Sequence, residues 1–185
     1  GYTRVSLGMQ STAQRVLEAA MLRRPAPAAN GRRVILACVC GNQHAFGLRL
    51  VAEAFRAAGW MVDDLGPDVP ASALVAAVGD RQPDVVGLSL SLPMHMPALR
   101  EAAARSLGIR PGARLACVSV ISPSASSSSD SERSETMLRR THLARLKQWA
   151  TGLDLSRHSA SYHVLEASDV AQALVRYAEA NRVSM

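Results

Sequence analysis

An unbroken apolar run, Val34-Ile35-Leu36-Ala37-Cys38-Val39, gives way at Gly41-Asn42-Gln43-His44 to a polar break. Apolar residues then return at helical spacing: Leu48, Val51, Ala52 and Phe55. A run without polar alternation reads as a strand covered on both faces, and the second pattern reads as an amphipathic helix. Gly59 closes that helix, Trp60-Met61-Val62 opens a second strand, and Gly66-Pro67-Asp68 ends it. A strand, helix and strand in succession form a parallel crossover unit, right-handed by the chirality of the chain. His44 therefore stands where a strand becomes a helix, on the carboxyl edge of a parallel sheet. Open α/β folds bind ligands along that edge.

The alternation continues. Pro70–Val78 reads as a helix with proline in its first turn, Asp84–Leu90 as strand three, and Leu92–Pro97 as a loop. Ala98–Leu107 reads as a helix, Arg114–Ile121 as strand four, and Ser168–Asn181 as a closing helix with Ser168 as its N-cap. Upstream, Val5–Arg24 has helical spacing, and a Pro/Ala/Gly-rich linker follows it. The expected architecture is an α/β doubly wound parallel sheet of five strands, order 2-1-3-4-5, flavodoxin-like, with an extra N-terminal helix. Residues 1–31 form the helix and linker and residues 32–185 the α/β domain. The regularity fails between residues 117 and 163. A serine tract follows Pro123, Glu135–Trp149 is helical and arginine-rich, and Gly152–His163 has no clear period.

Composition excludes several classes. The chain has 185 residues, 48% of them apolar, enough for a core. No apolar run approaches the roughly 20 residues of a membrane helix, and no signal-peptide core opens the chain, so a cytoplasmic location is expected. The net charge of +6 is carried by dispersed arginines, with Lys147 the only lysine. Basic residues that are not clustered with aromatics do not make a nucleic-acid face. Cys38, Cys40 and Cys117 include no CxxC pair and read as reduced thiols. There is no GxxxxGK[ST], no GxGxxG and no GxSxG, so phosphate-loop and hydrolase-elbow readings fail. In the order 2-1-3-4-5 the switch point lies between strands one and three. It brings Asn42 and His44 together with Ser89 and Ser91.

Asn42-Gln43-His44-Ala45-Phe46-Gly47, followed by Gly59-Trp60, Leu65-Gly66, Asp68-Val69-Pro70 and Pro83–Ser89, resembles the cobalamin-binding domain family. That family's signature is DxHxxG, a long interval, SxL or SxT, and then a Gly-Gly pair. The interval from Gly47 to Ser89 fits it. The likeness covers roughly Arg33–Leu107, and Glu166–Ala180 is similar to the family's closing helix. The resemblance implies a loop, Asn42 to Gly47, that faces a cobalamin: adenosyl-, methyl- or hydroxocobalamin. His44 would ligate the cobalt from below in place of the cofactor's own base. Ser89 would contact the displaced nucleotide tail, and Gly47 would let that tail pass the first helix.

Three departures follow. Asn42 replaces the family's aspartate, so an uncharged amide stands where a carboxylate orients the imidazole and raises its basicity. Ser91, with Leu92, lies near the end of the SxL pattern. Val118 and Ser119 stand where the Gly-Gly pair is expected. From Cys117 to His163 the likeness lapses, as a compensated reading-frame shift or a genuine insertion would produce. The resemblance implies a sensory or regulatory domain without catalysis of its own, working with an upstream helical module, a partner protein or a second copy. The alternatives are a corrinoid carrier of a methyltransferase system, and a degenerate or haem-binding domain acting through protein contacts.

Overall fold

The computed structural model describes residues 28–121 and 129–181, with the backbone alone between 129 and 134. The expected N-terminal helix and most of the serine tract lie outside the described residues. The described elements are β1 (Arg33–Cys38), α1 (Phe46–Ala57), β2 (Met61–Asp64), α2 (Ala71–Arg81) and β3 (Val85–Ser89). A single turn at Pro93–His95 leads into α3 (Met96–Ile109). β4 (Leu115–Ile121), α4 (Ser129–Ala150), β5 (Ala160–Glu166) and α5 (Val170–Ala180) complete them.

β1 is the centre of the molecule. It pairs in parallel with β2, Arg33 opposite Met61, and with β3, Val34 opposite Val85 through Cys38 opposite Ser89. Strand alternation divides its side chains between two cores. Val34, Leu36 and Cys38 pack with Leu48, Phe55 and Trp60, and with Val175 of α5. Ile35, Ala37 and Val39 pack with Leu74, Val78 and Ala102. Burial on both faces is why the run shows no polar alternation. Gly59 ends α1 at φ 82°, a left-handed conformation that glycine adopts without a Cβ penalty.

The single five-stranded sheet is not what the backbone forms. The ladders give a three-stranded sheet, β2-β1-β3, and a separate two-stranded sheet, β4-β5. A cleft takes the place of a β3–β4 ladder, with Val86 and Leu88 on one side and Leu115 and Val118 on the other. Leu146 and Trp149 of α4 line the same cleft. α4 is fixed there because Arg100 of α3 donates to the carbonyls of Trp149 and Gln148.

Other boundaries shift for local reasons. α3 begins before Ala98 because Pro97 fits its first turn. α4 starts within the serine tract, at Ser129. α5 is capped by Asp169 rather than Ser168, the carboxylate accepting from the Gln172 backbone N–H at 3.0 Å. β5 lies in the stretch without a period, where α4 packs on the strand and the His163 ring meets Tyr177 of α5.

Gly87 of β3 lies under Leu36, and a Cβ there would stand 2.5 Å from Leu36 Cδ2. Leu36 is buried and has no free direction to move. Gly87→Ala is expected to cost about 1–3 kcal/mol through overpacking. Chemical denaturation of the two proteins checks it, and equal midpoints would contradict it.

Candidate functional site

Three segments meet at the carboxyl edge of β1: the β1–α1 loop, the β2–α2 loop, and the end of β3 with the turn after it. One side chain joins them. Asn42 is fully buried at 0% exposure, the one buried polar side chain among the described residues. Its Nδ2 donates to the Ser89 carbonyl at 3.2 Å, and its Oδ1 accepts the backbone N–H of His44 at 3.2 Å. The Asn42 carbonyl accepts from the backbone of Asp68 at 3.1 Å. The Ser89 carbonyl also accepts from the backbone of Val39, at 3.1 Å, so the end of β3 is held twice.

Asp68 holds the loop from its other side. Its carboxylate accepts the Gly41 backbone N–H at 2.7 Å and the Gln43 side-chain amide at 3.1 Å. Asp68 does this from φ 56°, a left-handed conformation uncommon for a residue with a side chain. Gly41, at φ 84°, has the His95 ring against it, and a Cβ there would lie 3.0 Å from His95 Cδ2.

His44 itself is exposed. Its backbone is fixed by Asn42 and its carbonyl faces the Cys38 thiol at 3.7 Å. Among the described residues its ring nitrogens have no hydrogen-bond partner. Asn42 thus orients the backbone of His44 and not its ring, which differs from the role expected of the amide. Ala45 and Phe46 are half-buried where α1 begins, and Gln43 is exposed and tied to Asp68. Gly47 faces open space: a Cβ there would meet no atom within 4 Å. It lines a groove of about 670 Å³ between α1 and the start of α5, with Val51, Val170 and Ala171.

The remaining expected residues divide. Ser89 is half-buried beside Cys38, its register partner across the β1–β3 ladder. Val118 lines the β3–β4 cleft with Ser89. Ser119 bonds instead to His142 of α4, Oγ to Nδ1 at 2.7 Å. Ser91 is exposed in the loop after β3. The turn after β3 brings a further imidazole, His95, to this edge. Met94 is 75% exposed, whereas His95 packs on Gly41 with a buried Nδ1 that has no partner among the described residues. Asp68 was legible only as a turn residue; its aspartate-valine-proline context was the signal available.

Burial keeps two thiols protonated. Cys38 is raised above the ordinary range by burial and then by the charge of Asp64, with the Ser89 hydroxyl partly opposing. Cys117 is pushed up to about 11 by burial. Among the described residues no three His, Cys, Asp or Glu side chains converge on a point that would hold a metal ion.

The chain thus contains a parallel α/β unit whose loops gather at the carboxyl edge of its central strand, the ligand-binding class of open α/β fold. Residues 32–118 match the family model of the B12 binding domain. This segment is thus similar to the cobalamin-binding domain family, and the fold of the chain is similar to that of solved cobalamin-binding proteins. The chain is 46% identical over 65 residues to the HTH-type transcriptional repressor CarA of Myxococcus xanthus, covering 35% of this chain and 22% of that protein. Its fold is similar to the methanol:cobalamin methyltransferase complex of Methanosarcina barkeri, with a TM-score of 0.52 and 23% identity over 80% of this chain and 45% of that one. It is also similar to a cobalamin-binding protein of Desulfitobacterium hafniense, with a TM-score of 0.51 and 22% identity over 82% of this chain and 59% of that one. The chain spans less than two-thirds of each of these relatives. The family match ends at residue 118, within β4, where the sequence likeness also lapses, yet the likeness of fold covers most of the chain.

Two measurements test this description. Asn42→Ala removes one bond to Ser89 and one to His44, and is expected to cost about 1–3 kcal/mol from the groups left unpaired; an unchanged denaturation midpoint would contradict it. The Cys117 thiol titrates at 9.0 ordinarily and at about 11 when folded. The stability tied to it is complete below pH 9 and is lost as pH rises from 9 towards 11. Thermal melts across that window should fall, and Cys117→Ala should flatten the fall; parallel curves would contradict it.

Proposed function

We propose that this domain binds a cobalamin with His44 as the protein's cobalt ligand, and that it serves a sensory or regulatory protein. The observation that carries the reading is the state of His44: a free imidazole, presented from an anchored backbone at the carboxyl edge of the central strand. A lone imidazole is a poor site for a free ion. It suits a transition metal whose other positions are filled by a macrocycle.

Gly47 supports the fit. Glycine within a helix costs about 0.5–1 kcal/mol relative to alanine, and no neighbouring atom requires it here. The groove before it suits an elongated appendage on the macrocycle, which favours a corrinoid over haem. A bound cobalamin would supply a cobalt centre able to exchange a ligand. The protein's part is to hold His44 by the Asn42 latch, to leave the space at Gly47 open, and to present Ser89 at the end of β3. Val118, in the β3–β4 cleft, narrows the route where the family has glycine. Ser119 takes no part, being held by His142. We take the two sheets as one interrupted sheet of order 2-1-3-4-5, since β3 and β4 line the cleft between them.

The regulatory assignment rests on the likeness to a transcriptional repressor and on Asn42. Asn42 bonds the backbone of His44 and leaves its ring without a hydrogen-bond partner among the described residues, so the ring can leave the cobalt without breaking a second contact. Reversible ligation suits a domain that reports the state of its cofactor. An upstream helical module, a partner protein or a second copy is the expected receiver of that signal.

Titration with adenosyl-, methyl- and hydroxocobalamin, followed by absorption in dark and light, tests the proposal. A spectral shift that His44→Ala abolishes is the expected result. Gly47→Phe should weaken binding at least tenfold without lowering the melting temperature. No shift with any of the three forms would overturn the reading. Light-dependent change in oligomeric state supports the sensory assignment, and methyl transfer from the bound corrinoid would replace it with the carrier.

A further inference from the structure

The interrupted sheet encloses a second space, at the end of the strands opposite His44. A cavity of about 420 Å³ lies there between β3 and β4. Its size falls within the roughly 300–1,000 Å³ of small-molecule sites. Val86 and Leu88 of β3, Leu115 of β4, and Ala103 and Leu107 of α3 form apolar walls. These walls belong to strands and a helix, and the loop between α3 and β4 borders the space.

Its polar groups are few and specific. Ser106 lines the cavity, and its hydroxyl is buried with no hydrogen-bond partner among the described residues. A buried hydroxyl left unpaired is unfavourable, and a ligand carrying a polar atom relieves it. Arg110 and Arg114 line the cavity beside Ala113 and Leu115. The Arg110 guanidinium donates to the Pro83 carbonyl at 3.3 Å and has no carboxylate partner among the described residues, so its charge is not neutralised. Asp84 is the one acidic residue in the lining, and its Oδ2 accepts the Arg33 backbone N–H at 2.7 Å. Along the cleft the facing edges of β3 and β4 have no ladder between them, so their backbone donors and acceptors also face it.

We propose that the amino-terminal half of the β3–β4 cleft is a binding site for a small amphipathic anion. Its apolar body lies between β3 and β4, its anionic group meets Arg110, and a polar atom reaches Ser106. The site is separate from the carboxyl edge and does not depend on cobalamin binding. Its occupant fills the interval between the two sheets and fixes their separation.

The probe is 8-anilinonaphthalene-1-sulfonate, with neutral N-phenyl-1-naphthylamine as control, titrated by fluorescence into the purified full chain. Saturable binding at one site per chain is expected, with the sulfonate bound more tightly than the neutral dye. Arg110→Gln should weaken the sulfonate about tenfold and leave the neutral dye unchanged, the loss of one charge-assisted contact. Ala103→Leu should abolish binding of both, with circular dichroism checking that it folds. Arg110→Gln, at an exposed residue, tests the site even if Ala103→Leu does not fold. Non-saturable binding, or equal affinity of wild type and Arg110→Gln for the sulfonate, would overturn the proposal. Excess hydroxocobalamin should leave the dye in place; a failed cobalamin titration with intact dye binding would sink the cofactor reading alone.

Discussion

The site depends on a buried amide that ties the β1–α1 loop to the end of β3. Asn42 donates to the last carbonyl of β3 and accepts from the backbone of His44. Alanine offers neither group. Aspartate offers the acceptor but would set a carboxylate against the Ser89 carbonyl. Asparagine alone, among residues of this size, satisfies both ends, and burial raises the cost of leaving either unmade. Asp68 closes the loop from the opposite side at Gly41 and Gln43. Between these clamps the His44 backbone is fixed while its ring stays free.

The β1–α1–β2 unit was legible because each of its signals has a single physical cause. Burial on both faces made β1 a continuous apolar run, and burial on one face gave α1 its spacing. The places of His44 in the β1–α1 loop and of Gly47 in the first turn of α1 were legible through the pattern around them. The role of Asn42 was not, because two backbone partners from distant segments leave no trace in sequence spacing. Asp68 was masked by its resemblance to an ordinary turn residue. The packing of His95 was not legible, because its partner is Gly41, which no hydrophobic pattern reports.

The break in the sheet was not legible either. β3 and β4 are each apolar enough to pair, and sequence pattern carries no term for what lies between them. Leu146 and Trp149, from the helix where the family likeness has lapsed, line the cleft there. β5 was hidden for a related reason: α4 and α5 both contact it, so its residues do not alternate. The arginine-rich α4 also captures Ser119 through His142, removing from the site a residue whose position had placed it there.

The central claim concerns one bond, from the imidazole of His44 to cobalt. Electron paramagnetic resonance of the cob(II)alamin complex tests it directly, with the protein labelled with nitrogen-15 at histidine. Ligation by a protein imidazole predicts that the axial nitrogen splitting changes from a triplet to a doublet on labelling, and that His44→Ala loses the doublet. A triplet that survives labelling would show the cofactor's own base still on the metal, and would contradict the account.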